Sequence, residues 1–398
     1  MNHQKIKLLF ISHSAMLTGA PILFLNLVKL LKAAGGFSIK IVIKDKRKME
    51  LAEEFSQAGQ VLVWDEYETP SLLHRMKSRL SPGSNRRYKA ITRKNDLQIQ
   101  QWINNSDFII CNTITNGDFL EVFNVTKAKV ITYVHELEIA CKTYTTQLHL
   151  NLVKKQSDIF FVPCRAVGTH LIHNIGISAD KIKSLNYYIP VNTAARIEKR
   201  SYQKKFIAGI AGSIDWRKGA DIFPLIVDSF FKTNPGADFL FVWKGADKTH
   251  IEYSRVVYEL TKLNLIDKVI LEPPSKDVDS FYQSIDVLLL ISKEDPYPLV
   301  VLEAASHKKP CICFESAGGA PEFVEDNAGK IIPFLDIDGL VKAVNAYYMD
   351  TELCHQHGEN AWHKYQRLHN TKDLIIAQFR SALGIPDVDK EFVDVVSG

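Results

Sequence analysis

The chain has 398 residues, 46% of them hydrophobic and 24% charged, with 49 Lys and Arg against 45 Asp and Glu. Such a length fits two domains, or one large one, at ~150 residues each, and the balance is that of a folded globular protein rather than a disordered one. The apolar runs LLFI, VLLLI and LVVL fall far short of the ~18 residues that span a bilayer. The opening MNHQKIKLLFISHS leads into a strand pattern with no cleavage signal, so export is not expected.

The charge is uneven. Residues 1–195 hold 25 Lys and Arg against 15 Asp and Glu, whereas the remainder holds 24 against 30. A basic first half predicts an anionic partner, such as a membrane face or a phosphorylated lipid. Cys111, Cys141, Cys164, Cys311, Cys313 and Cys354 are scattered, mostly in apolar surroundings. They are expected to be reduced core residues of a cytoplasmic protein, not metal ligands.

Taken in order, IKLLFIS, IKIVI, QVLVWD, FIICN, KVITYVH and IFFVP read as strands in the first half. FIAGIAG, DFLFVW, KVILE, DVLLLIS, PCICF and KIIPF follow in the second. Several are apolar on both faces and alternate with helix-length segments. This predicts parallel sheets covered by helices on both sides. The polar stretch NTAARIEKRSYQKK, 192–205, reads as a linker between two doubly wound domains, 1–195 and 205–370. Ligands of such domains gather at the carboxyl ends of the strands, here in a cleft between the two. DLIIAQFRSALG reads as an amphipathic helix, followed by a loose tail.

In the first domain, ISHSAMLTGAPILFLNLVKLLK is a strand, a loop and an apolar helix beginning near Gly19. VITYVHELE places His135 at a strand end, where it either faces a ligand or is simply a hydrogen-bonded histidine. LLHRMKSRLSPGSNRRYKAITRK, 72–94, has eight Lys and Arg and no acid. It fits either a helix lying on an anionic membrane surface or a solvated basic helix. No aromatic-interleaved basic platform accompanies the charge, so nucleic acid is not an expected partner.

In the second domain, GIAGSIDWRKGAD is strand, glycine-containing turn and helix, with Arg217 and Lys218 on the loop. Two cations there suit diphosphate oxygens. FVWKGAD repeats the device with Lys244 and Gly245. In SKEDPYPLVVLEA, the prolines predict a helix starting at Pro298. Its first N–H groups, near Leu299 and Val300, favour an anion. Asp295 lies before that start and Glu303 in the second turn. Ionised carboxylates are pure acceptors, so the pair either takes hydroxyls of a sugar and a ribose beside a diphosphate, or is an acidic N-cap with a solvated glutamate.

Taken together, GSIDWRKGAD, FVWKGAD, FYQSIDVLLLISKEDPYPLVVLEAASHKKPCICF and AGGAPEFVEDNAGKIIP resemble the nucleotide-sugar-binding domain of retaining glycosyltransferases of family 4, group 1, with the GT-B fold. The family's two acids are separated by seven residues, as Asp295 and Glu303 are, with Asp in place of the usual first Glu and Glu294 one position early. The resemblance implies that Glu303 holds the nucleotide ribose and Asp295 the transferred sugar. Lys218 then binds the diphosphate. Ser213 stands where the family usually has an arginine, so Arg217 is the expected substitute. Gly212, Ser213, Lys244, Gly245, Glu294, Pro298, Leu299, Val300 and Glu303 become donor-binding positions, Gly19 lines the diphosphate from the first domain, and His135, Asp295, Lys218 and Arg217 form the catalytic set. The final helix is expected to cross back to the first domain.

The implied reaction is transfer of a hexosyl unit from a nucleotide diphosphate sugar to a hydroxyl of a glycan or polyprenyl-linked glycan. No metal or other cofactor is expected, because no Asp-x-Asp occupies a suitable loop. Surface polysaccharide or lipopolysaccharide assembly, in the cytoplasm or on the inner membrane face, is the implied setting. An epimerase or phosphorylase on the same scaffold, or a binding protein that has lost catalysis, are the alternatives. The loop SHSAMLTGAP lacks the spaced glycines of a dinucleotide site.

Overall fold

A computed structural model of the protein describes residues 5–47, 49–64, 95–190, 205–275 and 277–386. The basic segment 72–94, the linker 192–205 apart from Lys205, and the tail beyond Pro386 lie outside these residues. The described chain forms two compact units. One takes residues up to Pro163, then Val167–Tyr188 and the chain from Lys372 onward, and the other takes Cys164–Ala166 and Ile189–Thr371.

The first unit is built on seven parallel strands: β1 (Ile6–Ser12), β2 (Phe37–Ile43), β3 (Gln60–Val63), β4 (Phe108–Asn112), β5 (Lys129–Tyr133), β6 (Ile159–Val162) and β7 (Ile182–Ser184). Their spatial order is β3-β2-β1-β4-β5-β6-β7. The first six coincide with the sequence-predicted strands. Strand β7 is not among them, because IKS offers one apolar residue and two exposed polar ones, as an edge strand does. The helix Lys372–Leu383 packs in this unit, with Phe379 edge-on to Phe37 at 6.1 Å between centroids and Arg380 over the same ring at 5.1 Å.

The second unit carries six parallel strands: β8 (Phe206–Ala211), β9 (Phe239–Lys244), β10 (Val269–Glu272), β11 (Val287–Leu290), β12 (Cys311–Phe314) and β13 (Gly329–Ile332). The order is β10-β9-β8-β11-β12-β13. Every residue of β8, β9, β11 and β12 is buried, which explains why these segments read as unbroken apolar runs. Phe223 and Phe230, from the helix Phe223–Thr233, pack on Phe239, Phe241 and Trp243. Each such aromatic contributes about 1.5–3 kcal/mol on burial, before the entropy cost of ordering it. All six cysteines are free and buried.

The direction of winding reverses between β1 and β4 in one sheet and between β8 and β11 in the other. At such a point the loops leaving the two strands diverge to opposite faces and leave an opening at the carboxyl end of the sheet. The sequence-predicted loops fall there: 212–219 after β8 and 291–298 after β11.

Candidate functional site

In the second unit, β8 runs into a turn at Gly212 and then a short 3-10 turn, Trp216–Lys218. Asp215 caps that turn, its Oδ1 accepting from the Lys218 N–H at 3.0 Å, while the Ser213 hydroxyl donates to Asp215 Oδ2. Ser213 is thereby tethered to its own loop. Three links join this loop to the one after β11. Lys218 Nζ forms an ion pair with Asp295 Oδ2, Arg217 Nη1 donates to the Glu294 carbonyl at 3.0 Å, and the Lys293 N–H donates to the Arg217 carbonyl at 2.8 Å. Ser292 Oγ also donates to Asp295 Oδ2, at 3.3 Å.

The loop after β12 joins the same assembly. The Asp295 N–H donates to the Ala317 carbonyl at 2.7 Å, and Asp295 pairs with Gly318 as an isolated parallel bridge. Gly318 has φ +141°, and a Cβ there would lie 1.8 Å from the Asp295 carbonyl oxygen. Only glycine permits that approach.

The helix after Asp295 spans Leu299–Ser306, with Pro298 as its extended N-cap residue, one position later than the sequence predicts. No side chain caps it. At Leu299 and Val300 an α-helix supplies no acceptor for the backbone N–H, so these donors are left to an anion or water. Glu303, in the second turn, is half-buried. Its Oε2 accepts from the Tyr282 hydroxyl at 2.6 Å. Burial raises the Glu303 carboxyl above its ordinary pKa; the Tyr282 bond works against that rise and the charge of Asp279 adds to it.

Lys244 and Gly245 occupy the loop after β9, beside the first. Lys244 is buried and its Nζ lies 3.1 Å from Glu272 Oε2, so its ammonium is already matched within the protein. Gly245 has φ +101°, and a Cβ there would come within 2.4 Å of the Gly212 carbonyl oxygen. The Lys-Gly pair thus also has a packing role between two loops. Trp216, half exposed, lies under Lys293 Nζ at 4.6 Å from its ring centre, with Lys293 paired to Asp221.

The first unit contributes its own constellation. The helix Gly19–Ala34 begins at the expected glycine, and Asn112 Nδ2 donates to the Ala20 carbonyl at 3.2 Å. Asn112 Oδ1 lies 2.8 Å from His135 Nε2, and the Tyr187 hydroxyl lies 2.8 Å from His135 Nδ1. Since an amide oxygen only accepts, Nε2 carries the hydrogen and Nδ1 accepts from Tyr187. Burial, with a smaller contribution from His13, pushes the His135 pKa down to about 3, so the ring stays neutral. Glu136, the next residue, is buried and accepts the N–H of Ile114 at 3.1 Å and of His135 at 3.0 Å. Burial lifts its pKa to about 7 against those two bonds.

Sequence reasoning passed over Glu136, Tyr187, Tyr282 and Asn112. Only VHELE carried a signal for the first, a second polar residue beside the strand-end histidine. Among the described residues, no group of three or more His, Cys, Asp or Glu side chains is placed to hold a metal ion, and no helix is long and apolar enough to cross a membrane.

The two doubly wound parallel sheets, with paired loops at each switch point, define a GT-B-like architecture. Solved structures share it. Anabaena HepE in complex with UDP and glucose aligns with a TM-score of 0.75 at 17% identity, over 95% of this chain and 99% of that one. The lipopolysaccharide outer core galactosyltransferase WaaB, in its apo form, gives 0.69 at 14%, over 95% and 99%. The model for glycosyl transferases group 1 matches residues 191–364, and that for glycosyl-transferase family 4 matches residues 4–160. The chain belongs to the group 1, family 4 glycosyltransferases.

Curated relatives agree over shorter stretches. The amylovoran biosynthesis glycosyltransferase AmsD of Erwinia amylovora is 23% identical over 28% of this chain and 31% of its own length. The lipopolysaccharide core biosynthesis mannosyltransferase LpcC of Rhizobium leguminosarum bv. viciae is 20% identical over 39% and 45%. The matched stretches thus span 31% and 45% of these relatives' own lengths.

Proposed function

We propose that the protein is a retaining glycosyltransferase that moves a hexosyl unit from a nucleotide diphosphate sugar to a hydroxyl of a glycan or lipid-linked glycan, in surface polysaccharide or lipopolysaccharide assembly. The observation that carries this reading is the convergence of Lys218, Asp295 and the Leu299 helix start on one switch point, with Glu303 one turn further along. Supporting it are the family membership, the UDP and glucose bound by HepE, and the assembly roles in the names of AmsD and LpcC.

In this reading the diphosphate lies against the helix N-terminus, with Lys218 and Arg217 offsetting the charge that grows on the leaving group. Lys218 keeps hydrogens to offer beyond the one shared with Asp295. Asp295 accepts from a hydroxyl of the transferred sugar, and Glu303 from the ribose. The acceptor hydroxyl attacks from the leaving-group side and gives its proton to the departing phosphate, so configuration is retained without a covalent enzyme intermediate. His135, neutral and held at both ring nitrogens by Asn112 and Tyr187, fixes the carboxyl end of β5 in the first unit.

Isothermal titration of the protein with UDP, GDP and ADP, and with their glucose and mannose conjugates, tests the reading. Binding of one nucleotide series, weakened about tenfold or more by Lys218→Ala and by Glu303→Ala, is expected. Binding that neither substitution alters would overturn the site, and release of nucleotide from the bound sugar only with inorganic phosphate would make the protein a phosphorylase.

A further inference from the structure

Tyr282 is not among the residues that the family motif supplies, yet it makes the one side-chain hydrogen bond to the Glu303 carboxylate among the described residues, at 2.6 Å. We infer that Tyr282 is a positioning residue for the ribose acid: it holds Glu303 Oε2 and leaves Oε1 turned out for a vicinal diol. This rests on the proposed nucleotide site and adds a residue to it.

The geometry supports a single-purpose clamp. Tyr282 is 1% exposed, within the helix Asp279–Ser284 just before β11, whereas Glu303 is only half-buried. The phenol therefore reaches the carboxylate from the buried side, and Oε1 has no side-chain partner among the described residues. Burial, followed by the Glu303 charge and bond, holds the phenol far above its ordinary pKa, so it remains a donor at any physiological pH.

The ring is itself braced. His307 stacks on it, with centroids 5.5 Å apart and planes 27° apart. His307 Nε2 lies 3.2 Å from Asp279 Oδ1, and its Nδ1 lies 2.9 Å from the carbonyl of Glu303 itself. One turn of helix on either side of the clamp is thereby tied to the same imidazole. A carboxylate with both oxygens free would rotate and lose entropy on meeting a diol; one with an oxygen already held has paid much of that cost before the ligand arrives.

The experiment is titration with UDP and GDP and with their 2′,3′-dideoxy forms, on the parent protein, Tyr282→Phe, Glu303→Ala and the double variant, with each fold checked by thermal melting. The phenylalanine variant keeps the ring and its stacking. Tyr282→Phe is expected to weaken the binding of the ribose form by about tenfold. It should leave the dideoxy form unchanged and add nothing in the Glu303→Ala background. Equal weakening of both forms, or full additivity in the double variant, would make Tyr282 merely structural and overturn the inference. If Glu303→Ala weakens ribose binding and Tyr282→Phe does not, the inference falls while the nucleotide site stands. If the parent binds neither nucleotide, or Glu303→Ala changes nothing, the site itself falls and takes the inference with it.

Discussion

Lys218 and Asp295 lie 77 positions apart, on loops leaving two different strands, and meet as an ion pair with only 13% and 9% of their side chains exposed. The meeting follows from topology. Strands β8 and β11 are neighbours, and the winding reverses between them, so the loops that follow are the two that flank the opening. Before any ligand arrives, the pair keeps both charges in place on the floor of that opening.

Removing one member leaves the other sheltered from water without its partner. Lys218→Met and Asp295→Asn are each expected to lower the stability of the second unit by about 1–3 kcal/mol, with the double variant less destabilised than the sum of the two. Urea unfolding, followed by the fluorescence of the buried Trp243, measures all three. A strictly additive double variant would mean that the pair contributes no coupling.

Gly318 sets the approach of the third loop. A Cβ would overlap the Asp295 carbonyl, and φ +141° is strained for any other residue. Gly318→Ala is expected to cost more than about 2 kcal/mol and to weaken nucleotide binding by shifting Asp295. Thermal melting and titration with UDP and GDP check both. Gly19→Ala is the useful contrast, because a Cβ at Gly19 meets nothing within 4 Å and no loss of stability is expected there.

The fold was largely legible because buried parallel strands leave a simple trace. FIAGIA and VLLL are apolar at every position, and a covered sheet demands this. The loops of the candidate site were legible where polar residues stand adjacent in the chain, as in WRKGAD and KEDPYP. It was not legible where partners come from elsewhere in the chain. Tyr282 in FYQSID reads as one more core aromatic, since nothing local says that its hydroxyl meets an acid 21 positions on. Lys244 reads as a cation at a loop, and its match in Glu272 depends on β9 lying beside β10. Strand β7 was invisible for the opposite reason: an edge strand needs little apolar character.

Glu136 gives the first unit a pH dependence of definite sign. Its pKa is raised to about 7 in the folded protein, so above pH ~4.5 the unfolded chain releases this proton while the folded one retains it. The term is most favourable below that pH, declines as pH rises to about 7, and is constant beyond, for a total of order 3 kcal/mol. Glu136→Gln removes the ionisation and keeps an oxygen to accept from Ile114 and His135. It is expected to raise stability at pH 8 and to flatten the decline between pH 4.5 and 7. Denaturant midpoints across that range measure it, and an unchanged slope would show that Glu136 is charged at little cost.

The strand-end histidines act at the acid side with the opposite sense. Burial lowers His135 to about 3 and His13 to about 4, with Lys44 reinforcing the effect at His13. Unfolded histidine takes up its proton near pH 6.5, so below that pH the unfolded state is favoured, and stability falls until the folded rings titrate. His135 has more to lose, because a second proton on the ring breaks the bond that Nδ1 accepts from Tyr187. His135→Gln is expected to reduce the loss of stability between pH 6.5 and 4, although it costs stability at pH 7 through the packing and the two bonds it gives up. Melting temperatures for the parent protein and the variant from pH 8 to pH 4 should therefore converge as the solution is acidified, and parallel curves would mean that His135 is protonated in the folded protein as readily as in the unfolded chain.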